Sequence, residues 1–216
     1  MSFTGFDPEA IKKMRNEIDK SAQDSCEAII NKLESGIITP ISTCLYTPEG
    51  KKYFEGFAED VAKTGTEIKK VFDSFVEGLE KTANYWAQNT DADTISLQGV
   101  TDCVMKLDVS SVKDKNGTQV GIVEQEAKNV VSKLPTVQSE IDDELAQIAS
   151  KLDANDAFLG HGQAEAISNT FKKINKIVAD IFNFLTEGDN SLSKQINNAV
   201  EKYGDVANQV QSSYSE

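Results

Sequence analysis

The fold is decided by one long amphipathic stretch in the first half of the chain, TPEGKKYFEGFAEDVAKTGTEIKKVFDSFVEGLEKTANYW, residues 47–86. Its apolar side chains recur every three or four residues, which is the spacing of one face of an α-helix. Pro48 suits the first turn of a helix, and residues 89–93 supply polar turn chemistry. The pattern predicts a helix of about nine turns, with an apolar stripe formed by Phe54, Phe57, Val61, Ile68, Val71, Phe72, Phe75, Leu79, Ala83 and Trp86.

A second amphipathic helix is predicted before this stretch. Asp7 can cap it, Pro8 fits its first turn, and Glu9 suits the positive end of the helix dipole. Two long helices joined by a loop make a helical hairpin, which we assign to residues 1–95. The stripe of the first helix comprises Ile11, Met14, Ile18, Ala22, Cys26, Ile29 and Leu33.

The second half, residues 124–216, repeats this plan. Pro135 lies inside its first apolar run and is expected to kink or split the helix. Gly188 interrupts the second run, as a bend or as a break between two shorter helices. The stripes comprise Val130, Val131, Leu134, Val137, Ile141, Leu145, Ile148 and Leu152, then Ile167, Phe171, Ile174, Val178, Ile181 and Leu185, and finally Leu192, Ile196, Val200, Tyr203, Val206 and Val210.

The connector between the halves, residues 96–123, has a different pattern. Cys103, Met105, Leu107 and Val109 alternate with Val104, Lys106, Asp108 and Ser110, and Asn116-Gly117 follows. Alternation around Asn-Gly is a β-hairpin signal, but an isolated two-stranded hairpin is only marginally stable. A small β-hairpin and a broken helix with a loop both remain open.

Two hairpins in one chain can bury what one hairpin leaves exposed. A buried Phe, Ile or Leu side chain gains roughly 1.5–3 kcal/mol, while ordering the chain costs about as much, so a lone hairpin is near zero. The fold class is therefore predicted to be all-α, a four-helix bundle of two tandem antiparallel hairpins. Such a chain is expected to be a monomer, an intramolecular pseudo-dimer.

Composition points to binding rather than catalysis. The net charge of −13 argues against nucleic acid and anionic membrane surfaces, and the absence of a long apolar run argues against stable membrane insertion. His161 stands alone between two glycines, and the cysteines Cys26, Cys44 and Cys103 are scattered. We therefore expect no catalytic residues, no cofactor and no metal site, and classify the chain as not an enzyme.

Aromatic and apolar residues near the ends of the last helices are the candidate protein-binding site. Phe182 and Phe184 cannot point the same way on a helix, so one is expected to face outward. Such a residue, with neighbours on the following helix, would form an apolar patch for a partner. The predicted protein-binding residues are Phe184, Tyr203 and Val210.

Two turns give the chain a resemblance to a known family. Phe158-Leu159-Gly160 precedes small residues and Phe171, while Tyr46-Thr47-Pro48-Glu49-Gly50 precedes Tyr53 and Phe57. The arrangement resembles the WXG-type (ESAT-like) family, helical hairpins of type VII secretion with a Trp-x-Gly turn. The turn-motif residues carried over are Phe158, Gly160, Tyr46 and Gly50, with Phe and Tyr standing where the family has Trp.

The resemblance implies a bacterial, non-enzymatic type VII secretion-associated protein, a secreted substrate or the partner of a larger effector. It would act by helix–helix binding to a helical protein or a toxin, and would be secreted without a signal peptide. The family's export signal, Tyr-x-x-x-Asp/Glu, is missing, because Tyr85 is followed at that spacing by Asn89 and Tyr203 by Ala207. A cytoplasmic helical adaptor or chaperone unrelated to secretion is the alternative, and a membrane-inserting helical toxin is a weaker third.

Overall fold

A computed structural model describes residues 7–153 and 163–213, and helix dominates both ranges. The predicted all-α class is confirmed, with a single two-stranded sheet in the described part. The elements are α1 (Pro8–Leu33), a π-helical turn (Glu34–Ile38), α2 (Thr39–Ile41), β1 (Leu45–Tyr46), α3 (Pro48–Asn89), β2 (Gly121–Ile122), α4 (Glu124–Asp153), α5 (Gln163–Thr186) and α6 (Leu192–Ser213).

The predicted apolar stripes supply the core residues of α1, α3, α4 and α5. On α3, the side chains of Phe54, Phe57 and Phe72 are at most 1% exposed. Ile174 on α5 and Leu134 on α4 are fully buried. The 3.6-residue spacing therefore identified the buried faces of these helices, although Val71, Trp86 and Val131 are only partly buried.

The chain divides into two compact units. Unit 1 combines Met1–Ile29, Lys63–Met105 and Ile141–Val178, and unit 2 combines Ile30–Ala62, Lys106–Glu140 and Ala179–Glu216. Each unit thus draws on both halves of the sequence. Within unit 1 the rings of Phe72 and Phe171 meet edge to face, 5.9 Å apart. The hairpin boundaries at 1–95 and 124–216, and the four-helix arrangement, stay predictions.

The helix interruptions predicted at Gly188 and Pro135 have different outcomes in the structure. Gly188 adopts a φ of +78° between α5 and α6, a left-handed conformation that glycine accepts at low cost, and so it separates two helices. Helix α4 continues through Pro135 without a split. In the π-helical turn, a Cβ on Gly36 would lie 2.6 Å from Val137 Cγ2, so glycine permits this close approach in unit 2.

The connector forms neither a complete hairpin nor a helix. Asn116 and Gln119 exchange two backbone hydrogen bonds of 2.8 and 2.9 Å around Gly117, but β2 pairs with β1 of the first half rather than with another connector strand. The preceding segment, residues 95–105, is neither helical nor paired as a strand, and we call it the strap. The alternation holds from Cys103 onward: Cys103, Met105 and Leu107 are buried, whereas Val104 is 76% exposed.

Candidate protein-binding surface

Helix α6 begins as a packed element of unit 2. The backbone N–H of Lys194 donates a 3.4 Å hydrogen bond to Ser191 Oγ, which caps the first turn. Leu192 and Ile196 are at most 1% exposed. The helix packs against β2. Burial of Leu192 and Ile196 holds its first turns in place.

Burial decreases along the same helix while the apolar spacing continues. Tyr203 is half-buried, whereas Val206 is 51% and Val210 is 50% exposed. Residues separated by three and four positions share one helix face. We call Tyr203, Val206 and Val210 the α6 surface; it is a formed helix face whose apolar side chains are left in contact with solvent.

A cavity of about 130 Å³ lies beside the Tyr203 end of this surface in unit 2. It is lined by residues of β1, of the first turn of α3 and of α6, among them Gly50 and Tyr203. The structure thus brings a predicted turn residue together with a predicted binding residue. Lys202 Nζ forms a 2.6 Å ion pair with Glu49 Oε1 at the cavity, and its hydrogen bond lowers the pKa of the Glu49 carboxyl.

Phe184 is placed differently from the other predicted binding residues. It is half-buried in unit 2, and its ring stacks on Tyr53 at 5.9 Å and on Phe57 at 5.8 Å. Phe182 is 2% exposed. The Phe184 ring therefore stabilises the unit through aromatic packing, and Tyr203 with Val210 is the pair that the structure leaves on the α6 surface.

Tyr46 and Gly50 form the turn that leads from β1 into α3. Tyr46 Oη donates a 2.8 Å hydrogen bond to the Thr43 carbonyl oxygen, and Gly50 N donates a 2.9 Å bond to Thr47 Oγ1, which caps α3. A Cβ on Gly50 would lie 2.6 Å from Leu45 Cδ2, so the position favours glycine. Phe158 and Gly160 lie outside the described residues.

Comparisons with known proteins gave no match. No family model, no curated protein and no solved structure matched the chain. The functional proposal therefore rests on the geometry of the chain itself.

Unit 1 has a second concave surface that the sequence did not indicate. A groove of about 310 Å³ lies between α3 and the first half of α5, lined by Phe75, Gly78, Ala166, Thr170 and Lys173 among others. Small side chains at Gly78 and Ala166 leave the space between the helices open. The groove mixes apolar and polar walls, and it carries no titratable pair suited to acid–base chemistry.

The described ranges hold no group of three His, Cys, Asp or Glu that could bind a metal ion. Across the same part of the chain, no helix is both long and apolar enough to cross a membrane.

One member of the α6 surface was not among the predicted binding residues. Val206 belongs to the same three-to-four spacing as Tyr203 and Val210, and it is the more exposed of the two valines. The available signal was that the stripe continues for several turns beyond the last large apolar residue, Ile196, with valines separated by polar residues.

Proposed function

We propose that this chain is a non-enzymatic binding protein whose α6 surface docks against a helix of another protein. The observation that carries the proposal is the exposure of Val206 and Val210 on a helix whose own first turns are buried. An amphipathic helix with an open apolar face is a common way to recognise a helical partner. The face is narrow, and its specificity would come from the polar residues around it.

We further propose that the partner belongs to a type VII secretion system, as a helical-hairpin protein or a toxin with a helical amino-terminal domain. The support is the resemblance of the turns around Tyr46–Gly50 and Phe158–Gly160 to the WXG-type family. The export signal is absent at Tyr85 and Tyr203, which favours a protein that travels with, or guards, a partner that has the signal.

The binding proposal is tested by capture from the producing bacterium with three proteins: the parent chain, a V206E/V210E variant and an N208E variant. Asn208 is exposed on α6 and lies about 160–200° around the helix from the two valines, so N208E is a control for the added charge. The parent and N208E should capture the same helical partner, and V206E/V210E should lose it while melting at the same temperature. Equal capture by all three would contradict the proposal.

Export is tested separately by assaying the culture medium. The proposal expects the chain in the medium of the parent strain and its absence after deletion of the captured partner. Export that persists without the partner would exclude the travelling role. A chain that stays inside the cell and captures unrelated clients would favour the helical adaptor.

A further inference from the structure

The strap of unit 1 follows one face of α1 through side-chain hydrogen bonds. Arg15 Nε donates to the Gln98 carbonyl oxygen at 2.9 Å, and Arg15 Nη2 donates to the Gly99 carbonyl oxygen. Asp19 Oδ1 accepts a 2.6 Å bond from Thr101 N. Residues further along α1 bond to residues further along the strap, so the two segments run in the same direction.

This register continues to two cysteines. Gln23 Nε2 donates a 3.3 Å bond to the Thr101 carbonyl oxygen, and one turn further along α1 the Cys26 thiol makes a hydrogen-bonding contact with the Cys103 thiol. Residues 15, 19, 23 and 26 of α1 lie on one helix face. Cys26 is 4% and Cys103 is 7% exposed, so both thiols are buried where the strap meets α1.

The other side of the strap holds Cys103 in place. A Cβ on Gly65 of α3 would lie 2.2 Å from the Cys103 carbonyl oxygen, so the strap backbone touches α3 directly. Val100 N donates a 2.8 Å bond to Asp73 Oδ1, and the same Asp73 forms a 2.7 Å ion pair with Lys69. Cys103 is thus held between two helices, and its Sγ lies 3.9 Å from the Thr101 carbonyl oxygen as well as in contact with the Cys26 thiol.

The two thiols have different acidities. The hydrogen bond with Cys26 and the nearby Lys69 ammonium lower the pKa of the Cys103 thiol against the opposing effects of burial and of the Asp73 and Asp19 carboxylates. The hydrogen bond with Cys103 and burial raise the pKa of Cys26. A thiolate is the nucleophile in thiol–disulfide exchange. Cys103 is therefore the attacking sulfur and Cys26 the resolving sulfur.

We propose that Cys26 and Cys103 form a reversible intramolecular disulfide that ties the strap covalently to α1. The oxidant is a low-molecular-weight disulfide such as glutathione disulfide. The Cys103 thiolate attacks one of its sulfurs, forms a mixed disulfide and expels one glutathione thiolate. The mixed disulfide removes the Cys103 hydrogen bond and charge that raise the pKa of the Cys26 thiol, so Cys26 loses its proton, attacks the Cys103 sulfur and expels the second glutathione thiolate. Two protein thiols are oxidised, and one glutathione disulfide is reduced to two glutathione molecules.

The third cysteine is an internal control. Cys44 lies in unit 2, where its thiol donates to the carbonyl oxygens of Pro40 and Ile41 at 3.5 Å. Burial raises its pKa to about 11, which keeps it protonated and unreactive near neutral pH. It should remain a free thiol under conditions that oxidise the other two.

The experiment treats the folded full-length chain with glutathione disulfide, blocks the remaining thiols in acid and digests with trypsin. Cleavage after Lys and Arg places Cys26, Cys44 and Cys103 on separate peptides, residues 21–32, 33–51 and 82–106. We expect a covalent link between peptides 21–32 and 82–106, blocked free thiol on 33–51, and loss of the link in dithiothreitol. The C44S variant should form the same link.

Single variants test the order of attack. C26S should stop at a glutathione adduct on Cys103, and C103S should leave Cys26 free. In the oxidised C44S protein, the amides of Val100 and Thr101 should exchange hydrogen at least tenfold more slowly than in the reduced protein. The proposal is overturned if the parent chain keeps three free thiols, if Cys44 enters the link, or if the parent accumulates only the glutathione adduct.

Discussion

The strap and the end of α6 both carry recurring apolar side chains. Several of those in the strap are buried, whereas those at the end of α6 are exposed to solvent. In the strap, Val100, Cys103 and Met105 are buried in unit 1. On α6, Val206 and Val210 remain half-exposed in unit 2. Recurring apolar side chains therefore mark a face that can be buried, and only the folded chain shows whether its own residues cover that face.

Backbone hydrogen bonding explains why the exposed region is a helix. An extended segment leaves its N–H groups open, and buried ones need acceptors. Neighbouring helices supply them in the strap, because Asn84 accepts from Ile95 N at 2.7 Å and Asp73 accepts from Val100 N. A helix satisfies its own backbone, so α6 can present apolar side chains without outside support.

The largest effect is expected from placing the same charge on a buried and on an exposed apolar residue. Ile174→Asp puts a carboxylate at a fully buried position of α5, and an unpaired buried charge should lower the free energy of unfolding by more than about 4 kcal/mol or prevent folding. Val206→Asp should change it by less than about 0.5 kcal/mol. Urea unfolding followed by circular dichroism measures both, and similar losses would refute the distinction between the two regions.

A methyl group at Gly65 tests the close approach of the strap to α3. Gly65→Ala places a Cβ 2.2 Å from the Cys103 carbonyl oxygen, so the strap must move, at a cost of about 1–3 kcal/mol. Gly56→Ala on the same helix meets no atom within 4 Å and should gain up to about 1 kcal/mol from helix propensity. Thermal unfolding of both variants is the measurement, and equal stability would mean that the strap can yield freely.

Removal of one acceptor tests the hydrogen bonds of the strap. Asp73→Ala leaves the amide of Val100 without its carboxylate and should cost about 1.5–3 kcal/mol. Hydrogen exchange should become faster at Val100 and its neighbours than elsewhere in unit 1. Asp102→Ala, an exposed position of the strap, is the control and should leave that exchange unchanged. Uniform acceleration in both variants would argue against a specific role for Asp73.

The smallest effect is expected at the base of α6. Glu49 and Lys202 form an ion pair in which each side chain is 56% exposed. Exposed pairs contribute little because water and salt screen them, so Glu49→Gln should barely change the melting temperature. Any change should shrink further at high salt. A large, salt-independent loss would show that this pair holds α6 in place.

Periodicity alone predicted the helices and their buried faces. The stripes around Phe54, Phe72 and Ile174 are buried, since a three-to-four spacing on a long helix has one interpretation. The strap was only half predicted: the alternation at Cys103 and Met105 was recognised, but neither its buried side nor the helices that it packs against were predicted. Its hydrogen-bond partners lie up to 84 residues away in the sequence, and local spacing carries no information about them.

The candidate binding residues lie in different surroundings, and their role in binding stays a prediction. Tyr203 and Val210 lie on the α6 surface, whereas Phe184 stacks on Tyr53 and Phe57 of the first half. A helical pattern shows that two residues share a face, but it cannot show which distant rings cover that face. Exposure of Val206 likewise depends on where burial of α6 ends.

The most direct test of the α6 surface is a binding titration with the purified captured partner. We expect V206E/V210E to raise the dissociation constant by about 100-fold or more, because charges in a desolvated apolar contact cost about 1–3 kcal/mol each. The N208E control should change it by less than about threefold, and all proteins should melt alike. An unchanged dissociation constant for V206E/V210E would contradict the central claim that the open face of α6 is where this protein binds.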